Sequence, residues 1–153
     1  MRAITRLFGE IDIEEDKIIT LEKGMIGLPD FRKFALIFDE EKGLKKSSVM
    51  WFQSMDDPET AFPVMQPNVV KPDYNPMVSS EILSTLGEMT EENTYVLVTL
   101  TASPKVEETT VNLKAPIVIN TATKKGCQII VEDDYPVKYK IYDAVKGKKK
   151  AEE

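Results

Sequence analysis

Carboxylates and one thiol are the side chains in this sequence that could carry out acid–base, nucleophilic or metal chemistry. The 153 residues contain no histidine and a single cysteine, Cys127. Ser-His-Asp and Cys-His catalysis both need an imidazole base, and zinc sites of the usual kind need several His or Cys ligands. Cys127 lies in the apolar run 127–131, which favours a core position. We therefore expect that the protein is not an enzyme and that it binds no metal and no cofactor.

Two acidic clusters remain, at residues 56–59 (Asp-Asp-Pro-Glu) and 132–134 (Glu-Asp-Asp). Neither cluster has the glycine or the ligand spacing of a calcium-binding loop. A glycoside hydrolase needs two carboxyl groups facing each other across a cleft, and neighbours in sequence do not indicate one. Acidic residues next to proline are typical of solvent-exposed turns, and we interpret both clusters as turns.

The charge distribution points to a protein partner. The net charge is −6, and residues 144–153 contribute +2 through four Lys and two Glu, which leaves −8 on residues 1–143. A body of this sign repels phosphate backbones and attracts basic proteins. We therefore expect no direct nucleic-acid binding.

The amino-terminal sequence predicts a cytoplasmic location. Acidic residues occur before any apolar stretch long enough for a signal peptide. No run approaches the roughly 18 to 20 apolar residues that a membrane helix needs. We expect no membrane association, and a monomer when the protein is free.

Alternation of apolar and polar residues with period two predicts strands in most of the chain. The clearest runs are residues 7–14, 95–101 and 111–120. Pro116 interrupts the third run, and since proline cannot donate to a strand ladder we expect a bend, a bulge or an edge there. Shorter candidate strands are residues 18–21, 34–38, 49–54, 62–65, 127–131 and 139–142.

One short helix is predicted, with Ser79 or Ser80 as its cap and Gly87 as its stop. Many short strands separated by turns favour an antiparallel barrel or sandwich. The predicted fold is therefore all-β and mostly antiparallel, a small β-barrel-like domain with one short helix. We place this single domain at residues 1–145, followed by a frayed charged tail at 146–153.

Three blocks of sequence resemble the flagellar assembly factor FliW family. The first runs from Phe8-Gly9-Glu10-Ile11 to the segment 24–37, the second covers 51–64 and begins Trp-Phe-Gln-Ser-Met-Asp-Asp-Pro, and the third covers 110–120 and 126–130. The resemblance implies a small β-barrel-like domain that binds the translational regulator CsrA, antagonises its RNA binding, and alternatively binds flagellin before export. Flagellin translation would thereby be coupled to flagellin export.

The candidate protein-binding residues lie mainly in the second block. Gln53 and Ser54 end a predicted strand, and Met55, Asp56 and Asp57 open the turn after it, where polar and adaptable groups can face a partner.

A second interpretation stays open for the acidic residues: Asp56 or Asp57 can instead only cap the turn before Pro58. Among the methionines, we expect Met55 and Met77 at the surface, because they neighbour Asp and Pro.

Tyr74 is the remaining candidate, as an exposed anchor between Pro72 and Pro76. The alternative is a tyrosine packed over the barrel mouth.

A second function is also compatible with the predicted fold. A barrel of this size can carry a small ligand in its mouth. A large apolar cavity would favour this small-ligand-carrying β-barrel over a protein-binding module.

Overall fold

The computed structural model describes residues 1–37 and 49–142, and two short strands open the chain. Strand β1 (Arg2–Thr5) pairs antiparallel with β2 (Gly9–Asp12). The Thr5 hydroxyl accepts a hydrogen bond from the Phe8 N–H and donates to the Gly9 carbonyl, each at 2.9 Å. The predicted strand over 7–14 is thus shorter than expected, and β1 was not predicted.

Seven of the described strands close into a barrel. They are β3 (Ile19–Leu21), β4 (Lys33–Ile37), β5 (Met50–Ser54), β6 (Ala61–Met65), β7 (Thr94–Thr101), β9 (Ile117–Asn120) and β10 (Lys125–Gln128). Their order in the sheet is β7-β6-β5-β4-β3-β10-β9, and β9 pairs back onto β7. Every pairing among them is antiparallel except that of β3 with β10.

Two further strands extend the sheet beside β7. They are β8 (Thr110–Val111), which pairs with β7, and β11 (Tyr139–Lys140), which pairs with β8.

The barrel interior is filled by every second side chain of its strands, as a closed sheet requires. Phe34 of β4 and Phe52 of β5 stack with ring centroids 4.3 Å apart. Leu21, Leu97 and Ile117 are fully buried in the same cluster. This packed interior is the principal apolar core of the domain.

A short helix, α1 (Ser80–Ser84), covers one side of the barrel. The Ser79 hydroxyl accepts a hydrogen bond from the Glu81 N–H, as the capping prediction required. Leu86 then packs against Val118 of β9. Since Ile117 and Ile119 fill the interior, Val118 faces outward, and the helix lies against the outer wall of the barrel.

The run 111–120 is not the single strand that its alternation predicted. It forms β8 and β9 with an irregular segment between them. The Asn112 side-chain oxygen accepts hydrogen bonds from the N–H groups of Lys114 and Ala115, which turns the backbone out of the strand conformation. The break expected at Pro116 is therefore confirmed, but it begins four residues earlier.

The predicted tail at 146–153 lies outside the described residues. No helix within the described ranges is long and apolar enough to cross a membrane.

Candidate protein-binding surface

The turn between β5 and β6 is held by its own side chains. The Ser54 hydroxyl accepts a hydrogen bond from the Asp57 N–H at 2.9 Å. The Asp57 carboxylate accepts the Glu59 N–H at 3.2 Å and the Thr60 hydroxyl at 2.8 Å. Asp57 thus caps the turn, as one of the two sequence interpretations proposed.

The buried side chain of Gln53 supports the same turn. Its side chain is 1% exposed, and its amide nitrogen donates to the carbonyl oxygens of Ser54, Pro58 and Thr60 at 2.8 to 3.1 Å. Ser54 is also fully buried. Neither side chain is accessible to a partner in this conformation, and both influence the surface through the turn that they hold.

Met55 does not reach the surface, so that expectation is wrong. Its side chain is 8% exposed and packs with Ala3, Ile18 and Ala35 beneath the amino-terminal hairpin. The hairpin strand β1, which contributes Ala3, was absent from the sequence prediction. The expectation for Met77 is confirmed, since 80% of that residue is exposed.

Asp56 is exposed and joins two loops. Its Oδ2 accepts hydrogen bonds from the backbone N–H groups of Arg32 and Lys33, each at 2.7 Å. The Met55 N–H donates to the Lys33 carbonyl at 2.8 Å in the same junction. The Asp56 carboxylate therefore fixes the turn against the start of β4.

The side chains of two arginines beside the turn donate to backbone carbonyls and not to the carboxylates of the turn. Arg6 donates through Nε to the Glu59 backbone carbonyl at 3.1 Å, and Arg32 donates to the Glu22 backbone carbonyl at 2.9 Å. Within the described part of the chain, no side chain forms an ion pair with Asp56, Asp57 or Glu59. We call these three residues the acidic turn.

Tyr74 is packed instead of exposed, which excludes the anchor interpretation for this conformation. It is 6% exposed, its hydroxyl donates to the Leu113 carbonyl at 2.6 Å, and its ring lies 4.6 Å from that of Tyr135. Tyr74 belongs to one cluster with Met65 and Val98. The residues before these two, Val64 and Leu97, face the barrel interior, so Met65 and Val98 face outward. Tyr74 therefore covers the outer wall and not the barrel mouth. Burial raises the pKa of the Tyr74 hydroxyl above its usual value.

The Cys127 thiol and the possible metal ligands are the other groups that bear on nucleophilic and metal chemistry. Cys127 is half-buried, and burial raises the pKa of its thiol, which keeps it in the poorly nucleophilic protonated form. Among residues 1–37 and 49–142, no three carboxylate or thiol groups are close enough together to hold a metal ion.

Fold and surface together define a small closed β-barrel protein with an exposed acidic turn. The chain belongs to the FliW family, since the family model described as FliW protein matches residues 2–141. The flagellar assembly factor FliW of Lachnoclostridium phytofermentans is 43% identical over 150 residues, 97% of this chain and 96% of that protein. That of Lachnospira eligens is 43% identical over 148 residues, 95% of this chain and 97% of that protein.

A solved structure shows the same architecture. The crystal structure described as that of the flagellar assembly factor FliW superimposes with a TM-score of 0.84 at 28% identity, over 93% of this chain and 97% of that one. The predicted all-β, barrel-like fold and the resemblance to FliW are thus both confirmed.

Proposed function

We propose that this protein is a non-enzymatic flagellar assembly factor that binds the translational regulator CsrA and antagonises its RNA binding, and that alternatively binds flagellin. The proposal is carried by the family match over residues 2–141. Relatives that are 43% identical are named flagellar assembly factors. The implied place of action is the cytoplasm, where translation occurs.

Electrostatics supports a regulator of RNA binding as one partner. A protein that holds RNA presents basic groups to the phosphates. Residues 1–143 carry a net charge of −8, and the carboxylates of the acidic turn are unpaired within the described chain. A negative body bound near a basic surface repels RNA from it in addition to any steric effect.

Exchange of partners would provide the regulation. While flagellin occupies the protein, CsrA is free to repress flagellin translation. Export of flagellin releases the protein, which then binds CsrA and relieves the repression. The amount of flagellin made would thus follow the amount exported.

A competition assay with purified components tests this function. CsrA is mixed with a labelled RNA from a flagellin transcript, and RNA binding is followed by fluorescence anisotropy. We expect this protein to release the RNA and added flagellin to restore its binding to CsrA. RNA binding that does not change at equal or excess concentrations of this protein would contradict the proposal.

A charge reversal at Glu59 tests whether the acidic turn takes part. Asp56 and Asp57 are unsuitable because their carboxylates hold backbone groups, whereas the Glu59 side chain is exposed and unpaired in the described structure. Glu107→Lys, at another exposed site, changes the net charge equally and is the matched control.

We expect Glu59→Lys to weaken CsrA binding about three- to tenfold, mainly through slower association, with a smaller effect of Glu107→Lys. Equal effects of the two substitutions would show that the acidic turn is not part of the interface. The attraction would then come from the net charge of the whole domain.

A further inference from the structure

One end of the barrel contains a cavity of about 330 Å³. Its wall is formed by the inward side chains of Ile19, Leu36, Tyr95 and Ile119, which lie at the corresponding ends of β3, β4, β7 and β9. The Tyr95 hydroxyl donates to the Met50 sulfur at 3.5 Å, so the polar end of this side chain already has a partner. The cavity wall is therefore predominantly apolar.

The rim of the cavity is polar and positively charged. It consists of Lys17, Thr121 and Lys124. Lys125, next in the chain, forms an ion pair with Glu22 at 3.6 Å, but neither Lys17 nor Lys124 forms one with any residue that the structure describes. Lys17 and Lys124 thus line an apolar cavity and have no ion-pair partner among the described residues.

Lys124 occupies a backbone position that does not favour lysine. Its φ angle is +60°, in the left-handed region, where glycine or asparagine fits with less strain. Its N–H donates to the Asn120 carbonyl and its carbonyl accepts from Thr20, so the conformation is held on both sides. The chain therefore places a cationic side chain at the rim despite a conformational cost.

We propose that this barrel mouth binds a small anionic amphiphile, with a medium-chain carboxylate as the simplest member. The chain would lie against Ile19, Leu36 and Ile119, and the carboxylate would pair with Lys17 and Lys124. At about 330 Å³ the cavity is at the small end of the usual range for ligand sites, which suits a ligand as short as octanoate.

This site goes beyond the proposed partner exchange and does not rest on it. It also gives a specific ligand class to the small-ligand alternative that the barrel fold left open. Apolar burial would supply the affinity, and charge would select the headgroup.

Titration of the full chain with octanoate, followed by the NMR methyl signals of Ile19, Leu36 and Ile119, tests the site. We expect saturable shifts at these methyl groups, and an affinity that rises about fourfold per methylene from hexanoate to octanoate. Octanol and octylammonium should bind more weakly than octanoate. Absence of saturable shifts, or equal affinities for octanoate and octylammonium, would overturn the proposal.

Substitutions at the rim test the role of the two lysines. Lys17→Gln and Lys124→Asn should each weaken octanoate binding about two- to fivefold and leave octanol binding unchanged, as for exposed ion pairs. Asparagine suits the left-handed backbone, so the second substitution preserves the turn. Lys105→Gln, at an exposed lysine beyond the opposite end of β7, is the control. Unchanged octanoate affinity in the Lys17→Gln, Lys124→Asn double variant would overturn the proposal.

Discussion

The side-chain nitrogen of Asn120 donates a hydrogen bond to the backbone carbonyl of Leu86 at 3.0 Å and so joins the turn after β9 to the segment after helix α1. The same nitrogen donates to the Glu88 carbonyl at 3.1 Å. Its oxygen accepts the N–H groups of Ala122 and Thr123 at 2.9 and 3.2 Å. Asn120 is fully buried, and this single amide satisfies four backbone groups.

Replacement of Asn120 by alanine should therefore destabilise the domain strongly. We expect the free energy of unfolding to fall by about 2 to 3 kcal/mol, because buried backbone groups lose their partners. Urea denaturation measures the change. Asn75→Ala, at an exposed asparagine, should change stability by less than about 0.5 kcal/mol. Similar losses for both variants would show that the buried amide has no special role.

Replacement of Asp56 by alanine should weaken the junction between two loops. Its Oδ2 accepts the N–H groups of Arg32 and Lys33, and we expect a loss of about 1 kcal/mol because the site is exposed to water. Glu59→Ala removes a carboxylate of the same turn that has no side-chain bond in the described structure, and it should be nearly neutral. Thermal unfolding of both variants measures the difference, and a neutral Asp56→Ala would contradict the bridging role.

The buried Tyr74 hydroxyl should contribute to stability through the Leu113 carbonyl. We expect Tyr74→Phe to lower the free energy of unfolding by about 1 to 2 kcal/mol. Tyr95→Phe removes a hydroxyl whose partner in the described structure is the Met50 sulfur, a weak acceptor, so its effect should be smaller. Denaturant unfolding measures the loss of unfolding free energy in both variants. A larger loss for Tyr95→Phe than for Tyr74→Phe would contradict the prediction.

The raised pKa of Tyr74 also predicts a pH dependence. Its ordinary value is 10.0, and burial favours the neutral hydroxyl in the folded state. Above that pH the unfolded chain loses the Tyr74 proton while the folded chain still holds it. The contribution of this hydroxyl to the free energy of unfolding is therefore complete below about pH 10 and decreases as the pH rises further. Unfolding curves between about pH 8 and pH 11 should show this fall. The fall should be shallower in Tyr74→Phe, and an equal slope in both proteins would refute the assignment.

The close approach of β3 and β10 leaves no room for a side chain at Gly126. A Cβ atom there would lie 2.8 Å from Leu21 Cδ2 and 3.1 Å from the Val118 carbonyl oxygen. We expect Gly126→Ala to lower the free energy of unfolding by about 1 to 3 kcal/mol through overpacking.

A double substitution provides the control for Gly126. Leu21→Val shortens the side chain by one methylene and draws its methyl groups back from Gly126, so the double variant should be more stable than the sum of the two single effects implies. Strict additivity would show that Leu21 is not the residue that meets the new methyl group.

Local patterns accounted for most strands and for the helix. The predicted strands match β4, β5, β6 and β7 to within a residue or two, because every second side chain of each strand points into the barrel core. The pattern failed between Val111 and Ile117, because the Asn112 side chain captures two backbone N–H groups. A short polar residue inside a strand-like run is the signal that could have indicated this break.

The candidate site was predicted only in part. The acidic cluster at 56–59 was correctly placed in a turn, because Asp, Pro and short polar residues favour turns locally. Burial of Met55 depends on β1, which packs over it from 52 residues earlier in the chain at Ala3. Asn120 looked like an ordinary residue at the end of a strand, since its partners at 86 and 88 are remote in sequence.

By itself the sequence determined the class of the fold, the acidic character, the absence of histidine chemistry and the family, because these follow from composition, alternation and local motifs. Only the tertiary structure decided that β9 pairs with β7 to close the barrel, that Tyr74 and Met55 are buried, and that Lys17 and Lys124 line the same cavity. An open and a closed sheet have the same alternation of side chains, so closure depends on contacts between segments that are distant in the chain.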